Sequence, residues 1–234
     1  HGNHIIVSSV EHPSVRNTME TLSQNGFEIT YLPADKSGKV HVEDVAAAIK
    51  ETTILVSVMA VNNEIGAIQP IAEIGDLLES YPTIHYHVDG VQSIGTFEKP
   101  LIHDRVDLMS FSAHKFNGPR GIGILYKKQN RVISQLLDGG GQEMGQRSTT
   151  ENLAGIAATA KALRMALAEA KDVKAKEAAM QEKLRAFFAE HADLVQVFSP
   201  EDAAPHVLCF ALKGVRGEVM VHALEDENII VSTT

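Results

Sequence analysis

The chain has 234 residues, and its 21 Lys+Arg against 30 Asp+Glu give a formal net charge of −9, which argues against nucleic acid or an acidic membrane surface as the main partner. Its longest nearly unbroken apolar run, residues 54–61 with Ser57 inside it, falls far short of the roughly 20 residues a membrane-spanning helix needs, so the chain reads as soluble. Cys209 is the single cysteine, which excludes an intrachain disulfide framework and a cysteine-rich zinc site and fits a cytoplasmic protein.

Strand-length apolar runs alternate with helix-period segments from the start, the pattern of a mainly parallel sheet flanked by helices. Residues 5–8 are predicted as a strand and 14–25 as a helix, opened by Pro13 and closed near Gly26. A strand over 28–32, a turn over 35–38, a short helix over 42–49 and a β-branched, fully buried strand over 53–58 follow. Pro70 stands at a favoured first helical position, so 71–79 reads as an amphipathic helix, with strands over 84–89 and 108–112 after it. From Asn152 to Glu190 the chain is rich in Ala, Glu and Lys without an internal proline, which predicts one long helix or two broken around Asp172. Short strands over 195–198, 207–212 and 229–232 accompany a helix over 218–227. The expected organisation is α/β: residues 1–151 form a large domain, and 152–234 a bridging helix with part of a smaller α+β domain.

Open α/β sheets bind ligands at the carboxyl ends of their strands, and those ends are functionalised here. The first strand delivers Glu11 and His12, and the strand over 53–58 leads to Asn62, Asn63 and Glu64. The next two deliver Asp89 with Gln92 after it, then Ser112, His114 and Lys115. A lone lysine at a strand end is ordinarily a solvated surface residue, and a lone aspartate ordinarily belongs to a turn. Their interval is about one βαβ unit, which brings carboxylate and amine to the same sheet edge. Beside Ser112 and His114, Lys115 offers an amine able to condense with a carbonyl, next to hydroxyl, imidazole and backbone donors for an anion.

Two other patterns carry less. His85, His87 and Asp89 alternate along one face of a strand as metal ligands would, but Gly90 stands where the metallo-β-lactamase-type signature has a further histidine, so no metal site is expected. The Gly139-Gly140-Gly141 run lacks the spacing and the Lys-Ser/Thr ending of a P-loop.

Five segments read together carry a resemblance: Val10-Glu11-His12; Val61-Asn62-Asn63-Glu64-Ile65-Gly66; His87-Val88-Asp89-Gly90-Val91-Gln92-Ser93; Ser110-Phe111-Ser112-Ala113-His114-Lys115; and Gly139-Gly140-Gly141-Gln142-Glu143 with Arg147-Ser148-Thr149-Thr150. In order and along essentially the whole chain, they closely resemble the cysteine desulfurases, pyridoxal 5'-phosphate enzymes of the class V aminotransferase fold. The resemblance implies that Lys115 holds pyridoxal phosphate covalently and that Asp89 pairs with the pyridinium nitrogen, a pairing that keeps the ring protonated and electron-withdrawing. It further implies His12 as the stacking and proton-transferring imidazole, Asn63 and Gln92 around the ring hydroxyl, and Ser112 and His114 as phosphate ligands. Thr150 would reach the phosphate of a neighbouring subunit, hence a homodimer.

The implied reaction converts L-cysteine to L-alanine and leaves sulfur as a persulfide on an enzyme cysteine, for an acceptor such as an iron–sulfur scaffold protein or a tRNA-thiolating enzyme. In the family that cysteine follows the strand matched by residues 229–234. The resemblance therefore implies that the cysteine loop, the arginine for the substrate carboxylate and an N-terminal phosphate loop lie outside this chain, which by itself is expected to be inactive. Selenocysteine lyases and aminotransferases share the lysine and aspartate, and a non-catalytic binding module is the reading from another class. Cys209, sharing a predicted strand face with Val207 and Ala211, is expected to be an inert core thiol and not the sulfur acceptor.

Overall fold

In the computed structural model, which describes residues 2–94 and 103–233, the strands β1 (His4–Ser8), β2 (Glu28–Leu32), β3 (Thr53–Ser57), β4 (His85–Asp89), β5 (Leu108–Ser112) and β6 (Gly123–Lys127) form one sheet. Its order is β2-β1-β3-β4-β5-β6. The first five strands pair in parallel, and β6 returns antiparallel on β5. Period-2 alternation sends Ile5 and Val7 to one face, where Met19 of α1 (Pro13–Gln24) packs. Ile6, Val56, Tyr86, Val88 and Met109 go to the other face, under Val45 of α2 (Val42–Ala48) and Ile74 and Leu78 of α3 (Ile71–Glu79). All five residues of β1 are buried, as expected of a strand covered on both sides.

Two histidines, buried His4 and half-buried His87, stitch the sheet laterally. His4 places Nδ1 2.7 Å from Thr53 Oγ1 and Nε2 2.8 Å from Thr30 Oγ1, joining β1 to both neighbours. His87 does the same for β4, with Nδ1 2.8 Å from Ser57 Oγ and Nε2 2.9 Å from Ser110 Oγ. Burial holds both imidazoles below their ordinary range: Lys50 adds to it at His4, and the opposing charge of Asp89 fails to offset it at His87. Both ring nitrogens of His87 are committed to hydroxyl partners, which removes it from any metal-ligand set.

A charged network fixes the amino ends of β4 and β5. Fully buried Asp107 accepts from Arg105 Nη1 at 2.6 Å, Arg131 Nε at 2.8 Å and the Tyr86 N–H at 2.9 Å. Arg105 spends its remaining donors on the carbonyls of Leu78, Tyr81 and Ile84, so α3, its exit turn and β4 hang on one guanidinium. Burial alone would raise the Asp107 carboxyl, but the bonds from Arg131, the Tyr86 N–H and Arg105 outweigh it and hold the group below the usual range.

After β6 come a single turn, α4 (Gln142–Gly145), in which Glu143 and Met144 take left-handed φ of 49° and 55°, and the helix α5 (Leu153–Glu190) of 38 residues. The strands β7 (Val195–Val197) and β8 (Phe210–Leu212) pair antiparallel, and α6 (Gly217–Asp226) follows. Two expectations need correction, and β6 is a strand the sequence pattern does not predict. The strand expected over 207–212 shrinks to β8, because the Val207 N–H closes a turn on Ala204 O and the Cys209 N–H goes to Ser199 Oγ at 2.7 Å. Residues 229–232 form no strand: Ile230 is 81% exposed, and neither described sheet pairs with them, so their β-branched side chains have no ladder to join. Of the two alternatives for 152–190, the unbroken helix is observed; Asp172 is exposed, with neither Pro nor Gly beside it to interrupt the turn.

Replacing Asp107 by Ala leaves two partly or fully buried guanidiniums uncompensated and should cost about 3–5 kcal/mol of unfolding free energy. Arg131→Ala, at a more exposed position, should cost less. Equilibrium urea unfolding of the two variants checks the ranking.

Candidate active site

The sheet order places a topological switch between β1 and β3, since α1 covers one face and α2 and α3 the other. Two side chains span the gap there. Glu11, buried, accepts at Oε1 from Ser8 Oγ (2.7 Å) and from the Met59 N–H (2.6 Å), joining the end of β1 to the segment after β3. Asn62 donates from Nδ2 to Val10 O at 3.1 Å and accepts at Oδ1 from the Glu64 and Ile65 N–H groups, both at 2.9 Å. That turn closes at Gly66, whose φ of 75° suits glycine and whose carbonyl takes the Ala204 N–H at 2.8 Å. A Cβ at Gly66 would meet Val207 Cβ at 3.0 Å. Half-buried Asn63 rides on this turn.

At β4, Asp89 is buried and accepts the Val91 N–H at Oδ1 (2.9 Å). Its position is fixed by the backbone: the Ala60 N–H donates to Asp89 O at 2.8 Å, and the Gly90 N–H to Ser110 O at 2.9 Å. At β5, half-buried Ser112 leads into a 3-10 turn, Ala113–Phe116, anchored by buried Ala113 and Phe116 and closed by left-handed Asn117. This turn leaves His114 and Lys115 exposed, and Lys115 enters none of the ion pairs among the described residues. Lys115, Gln92, Phe116, Asn117 and His206 line a cavity of about 410 Å³ under α5.

His12 caps α1. Its Nδ1 accepts the Ser14 N–H at 3.1 Å and lies 2.8 Å from Ser14 Oγ, so a neutral ring carries its proton on Nε2. Thr150 is exposed in the segment before α5 and makes no side-chain hydrogen bond to the other candidates among the described residues. The geometry thus gathers Asp89 and the Lys115 turn at adjoining strand ends, with Gln92 lining the same cavity as Lys115 and Thr150 outside that lining.

Sequence patterns give no role to two residues with buried polar atoms, Glu11 and His206. Among the described residues Glu11 Oε2 is buried without a hydrogen-bond partner; burial, reinforced by the charge of Asp89, overrides the Ser8 and Met59 bonds and pushes its carboxyl up to about 7. His206 is half-buried, its Nδ1 is buried without a partner among the described residues, and burial together with the charge of Lys115 pushes the imidazole down. No periodicity marks either residue. Cys209 is half-buried, less covered than expected, because it precedes β8 instead of lying within it. Burial and then the charge of Glu64 push its thiol up, away from the reactive thiolate. Elsewhere, Asp76, Glu79 and His103 bring three potential ligand atoms within 4.8 Å of one another. His103 Nδ1 accepts the Arg105 N–H, so a neutral ring presents its Nε2 proton to Asp76, 3.2 Å away, as a donor and not a ligand.

The model of the aminotransferase class-V family matches residues 1–233. The chain is similar to a NifS/IcsS protein homolog of Lactobacillus delbrueckii subsp. bulgaricus, 55% identical over 236 residues that cover 100% of this chain and 61% of the relative. It is also similar to cysteine desulfurase IscS of Clostridium botulinum, 41% identical over 235 residues that cover 99% of this chain and 59% of the relative. Among solved structures it resembles a NifS-like protein with a TM-score of 0.90 and 38% identity, covering 100% of this chain and 64% of that one. The chain therefore spans less than two thirds of the length of the proteins it matches.

Because the Glu11 carboxyl is raised from 4.5 to about 7, the native state holds that proton more tightly than the unfolded chain, and this group costs stability as pH rises between those values. Glu11→Gln removes the cost. Its unfolding free energy relative to the parent should climb between about pH 5 and about pH 7 and level off above, as denaturant melts at successive pH values would show.

Proposed function

Because the chain belongs to the aminotransferase class-V family, we propose that it is part of a pyridoxal-phosphate-dependent cysteine desulfurase. The observation that carries this reading is the meeting of buried Asp89 and the Lys115 turn at the ends of neighbouring parallel strands. The donor set fits the cofactor: an amine outside any described ion pair, a buried carboxylate one strand away, and hydroxyl and imidazole groups on the amine's own loop. Lys115 would hold pyridoxal phosphate covalently, Asp89 would face its ring nitrogen, and His12 would cover the ring. Asn63 and Gln92 would serve the ring hydroxyl, and Ser112 and His114 the phosphate. When bound, the cofactor supplies an electron sink for bond cleavage at the substrate.

The remaining chemistry belongs to the chain. A carboxylate at Asp89 favours the protonated ring nitrogen. The helix cap directs the His12 proton to Nε2, and an imidazole in that tautomer moves a proton at that atom. The Lys115 amine, on a turn anchored at both flanks, exchanges protons with substrate carbon. Overall the C–S bond of L-cysteine breaks, an S–S bond forms at an enzyme cysteine and a proton reaches Cβ of the alanine product, so neither oxidant nor reductant is consumed. Cys209 is not that cysteine; its raised, half-buried thiol disfavours the thiolate. The accepting thiol lies outside this chain. Lys115, His114, His12 and Thr150 are all exposed, which suits a site completed by further polypeptide, and we read the protein as a cytoplasmic homodimer in which Thr150 serves the partner's phosphate. Its sulfur passes to an acceptor protein, an iron–sulfur scaffold or a tRNA-thiolating enzyme.

Two variants test this in a protein carrying the chain at its relatives' full length. Lys115→Ala should lose the borohydride-reducible cofactor adduct and lower alanine formation from cysteine by at least about 100-fold. A surviving adduct contradicts the assignment, and turnover of selenocysteine alone would favour a selenocysteine lyase.

Cys209→Ala in the same protein should keep persulfide formation within about twofold of the parent, since an inert thiol contributes no nucleophile. Loss of the persulfide with unchanged cofactor content would make Cys209 the acceptor.

A further inference from the structure

The segment 199–207, between β7 and β8, is held from two sides. Toward the sheet, fully buried Ala204 belongs to the main apolar core with Val58, Ala60 and Val61, and its N–H donates to Gly66 O at 2.8 Å. A Cβ at Gly66 would meet Val207 Cβ at 3.0 Å and Ala203 Cβ at 3.3 Å, so this segment lies directly on the turn that carries Asn63. Toward α5, buried Gln181 donates from Nε2 to Val207 O at 2.9 Å, Ala204 O at 3.2 Å and Pro205 O at 3.4 Å. Carbonyls that converge on one point repel unless a donor stands there, and among the described residues Gln181 supplies the only donor to Pro205 O and Val207 O. Arg185 Nε donates to Gln181 Oε1 at 3.3 Å, which turns the NH2 end of the amide toward the carbonyls.

The bonds continue into the site. The Gly66 N–H returns to Asn62 O at 3.0 Å, and the Asn62 side chain ties the turn to Val10 O and to the Glu64 and Ile65 N–H groups. Asn63 enters none of these bonds, so its place follows from its neighbours. We propose that Gln181 is a positioning residue for Asn63: by holding residues 204–207 against Gly66, it sets where the Asn63 amide meets the cofactor. The proposal rests on the pyridoxal-phosphate reading above, in which Asn63 serves the ring hydroxyl. A hydrogen bond donated there draws charge from the ring oxygen and weakens that oxygen's hold on the proton of the linkage to Lys115. Losing the bond raises the pH at which that proton leaves.

The test uses a protein of the relatives' full length, loaded with pyridoxal phosphate, and reads the pH midpoint of the bound cofactor's visible absorbance. Asn63→Ala should raise that midpoint by about 0.5–1 pH unit, the worth of one hydrogen bond. Gln181→Met, of similar length but without a donor, should raise it in the same direction by a smaller amount. The double variant should match Asn63→Ala alone, because Gln181 acts through Asn63, and additive shifts would refute the proposal. Leu78→Ala, a core truncation at the amino edge of the sheet, should cost stability yet leave the midpoint where it is; a shift equal to that of Gln181→Met would reduce the effect to general loosening and overturn the proposal. If Gln181→Met fails to fold, Gln181→Asn, whose amide falls one methylene short of the carbonyls, is judged by the same outcomes. A midpoint that moves in Asn63→Ala but not in the Gln181 variant refutes the positioning role and leaves the cofactor reading intact. No movement in Asn63→Ala refutes the role of Asn63 and this proposal with it, and a parent protein that binds no pyridoxal phosphate refutes the functional reading itself.

Discussion

Asp107, with two guanidiniums and a peptide N–H on one carboxylate, sets the frame in which the rest of the sheet is read. Apolar burial contributes more energy, at roughly 1.5–3 kcal/mol for each buried aliphatic side chain, but it is non-directional. A strand that slipped by one residue could still bury apolar atoms, though on the wrong face; it could not keep Arg105 on Leu78, Tyr81, Ile84 and Asp107 together. The charge network selects the register and the core supplies the free energy. From that register follow the pairing of Asp89 with Ser110 and the departure of the Lys115 turn from the next strand.

Asp107 and Glu11 show how little burial alone decides. Both are carboxylic acids almost without solvent contact. Asp107 meets two permanent cations and is held ionised, while Glu11 meets two neutral donors on a single oxygen and a like charge nearby, and is driven toward the acid. One sits at the amino ends of the strands, where it fixes geometry through charge, and the other at the carboxyl ends, where it clasps Ser8 to Met59 through neutral donors. The histidines follow the same logic: His4 and His87 have their ring nitrogens consumed by threonine and serine hydroxyls and act as cross-strand ties, whereas His12 commits only Nδ1, to a helix cap.

The parallel core was legible because its strands are short apolar-patterned runs alternating with helix-period segments, and the structure moves the ends of β1, β3 and β4 by about one residue from the pattern. The long helix was legible from its unbroken helix-forming composition. What escaped depended on partners far away in sequence. β6 exists because β5 offers it an antiparallel edge, and Val207–Cys209 leave the β8 ladder because Ser199 and Ala204 claim their backbone groups. The order Glu11-His12, Asn62-Asn63, Asp89, Lys115 could be read along the chain. The single-oxygen coordination of Glu11 and the cation pair on Asp107 could not, because both arise from segments brought together only by the completed sheet.

The helix α5 packs near its start against the turn that carries Lys115, with Gly155 so close to Ile122 that a Cβ there would approach its Cδ1 to 2.7 Å. Toward its other end, Gln181 grips the carbonyls of Ala204, Pro205 and Val207. At 1.5 Å per residue such a rod is about 57 Å long, so a tilt of one degree about one end displaces the other by about 1 Å. Held at the amine's turn near its start and, through Gln181, on the segment whose Ala204 N–H bonds Gly66 O, α5 is a strut braced at two points of the sheet's carboxyl edge, so a tilt that moved one end would have to break the bonds at the other.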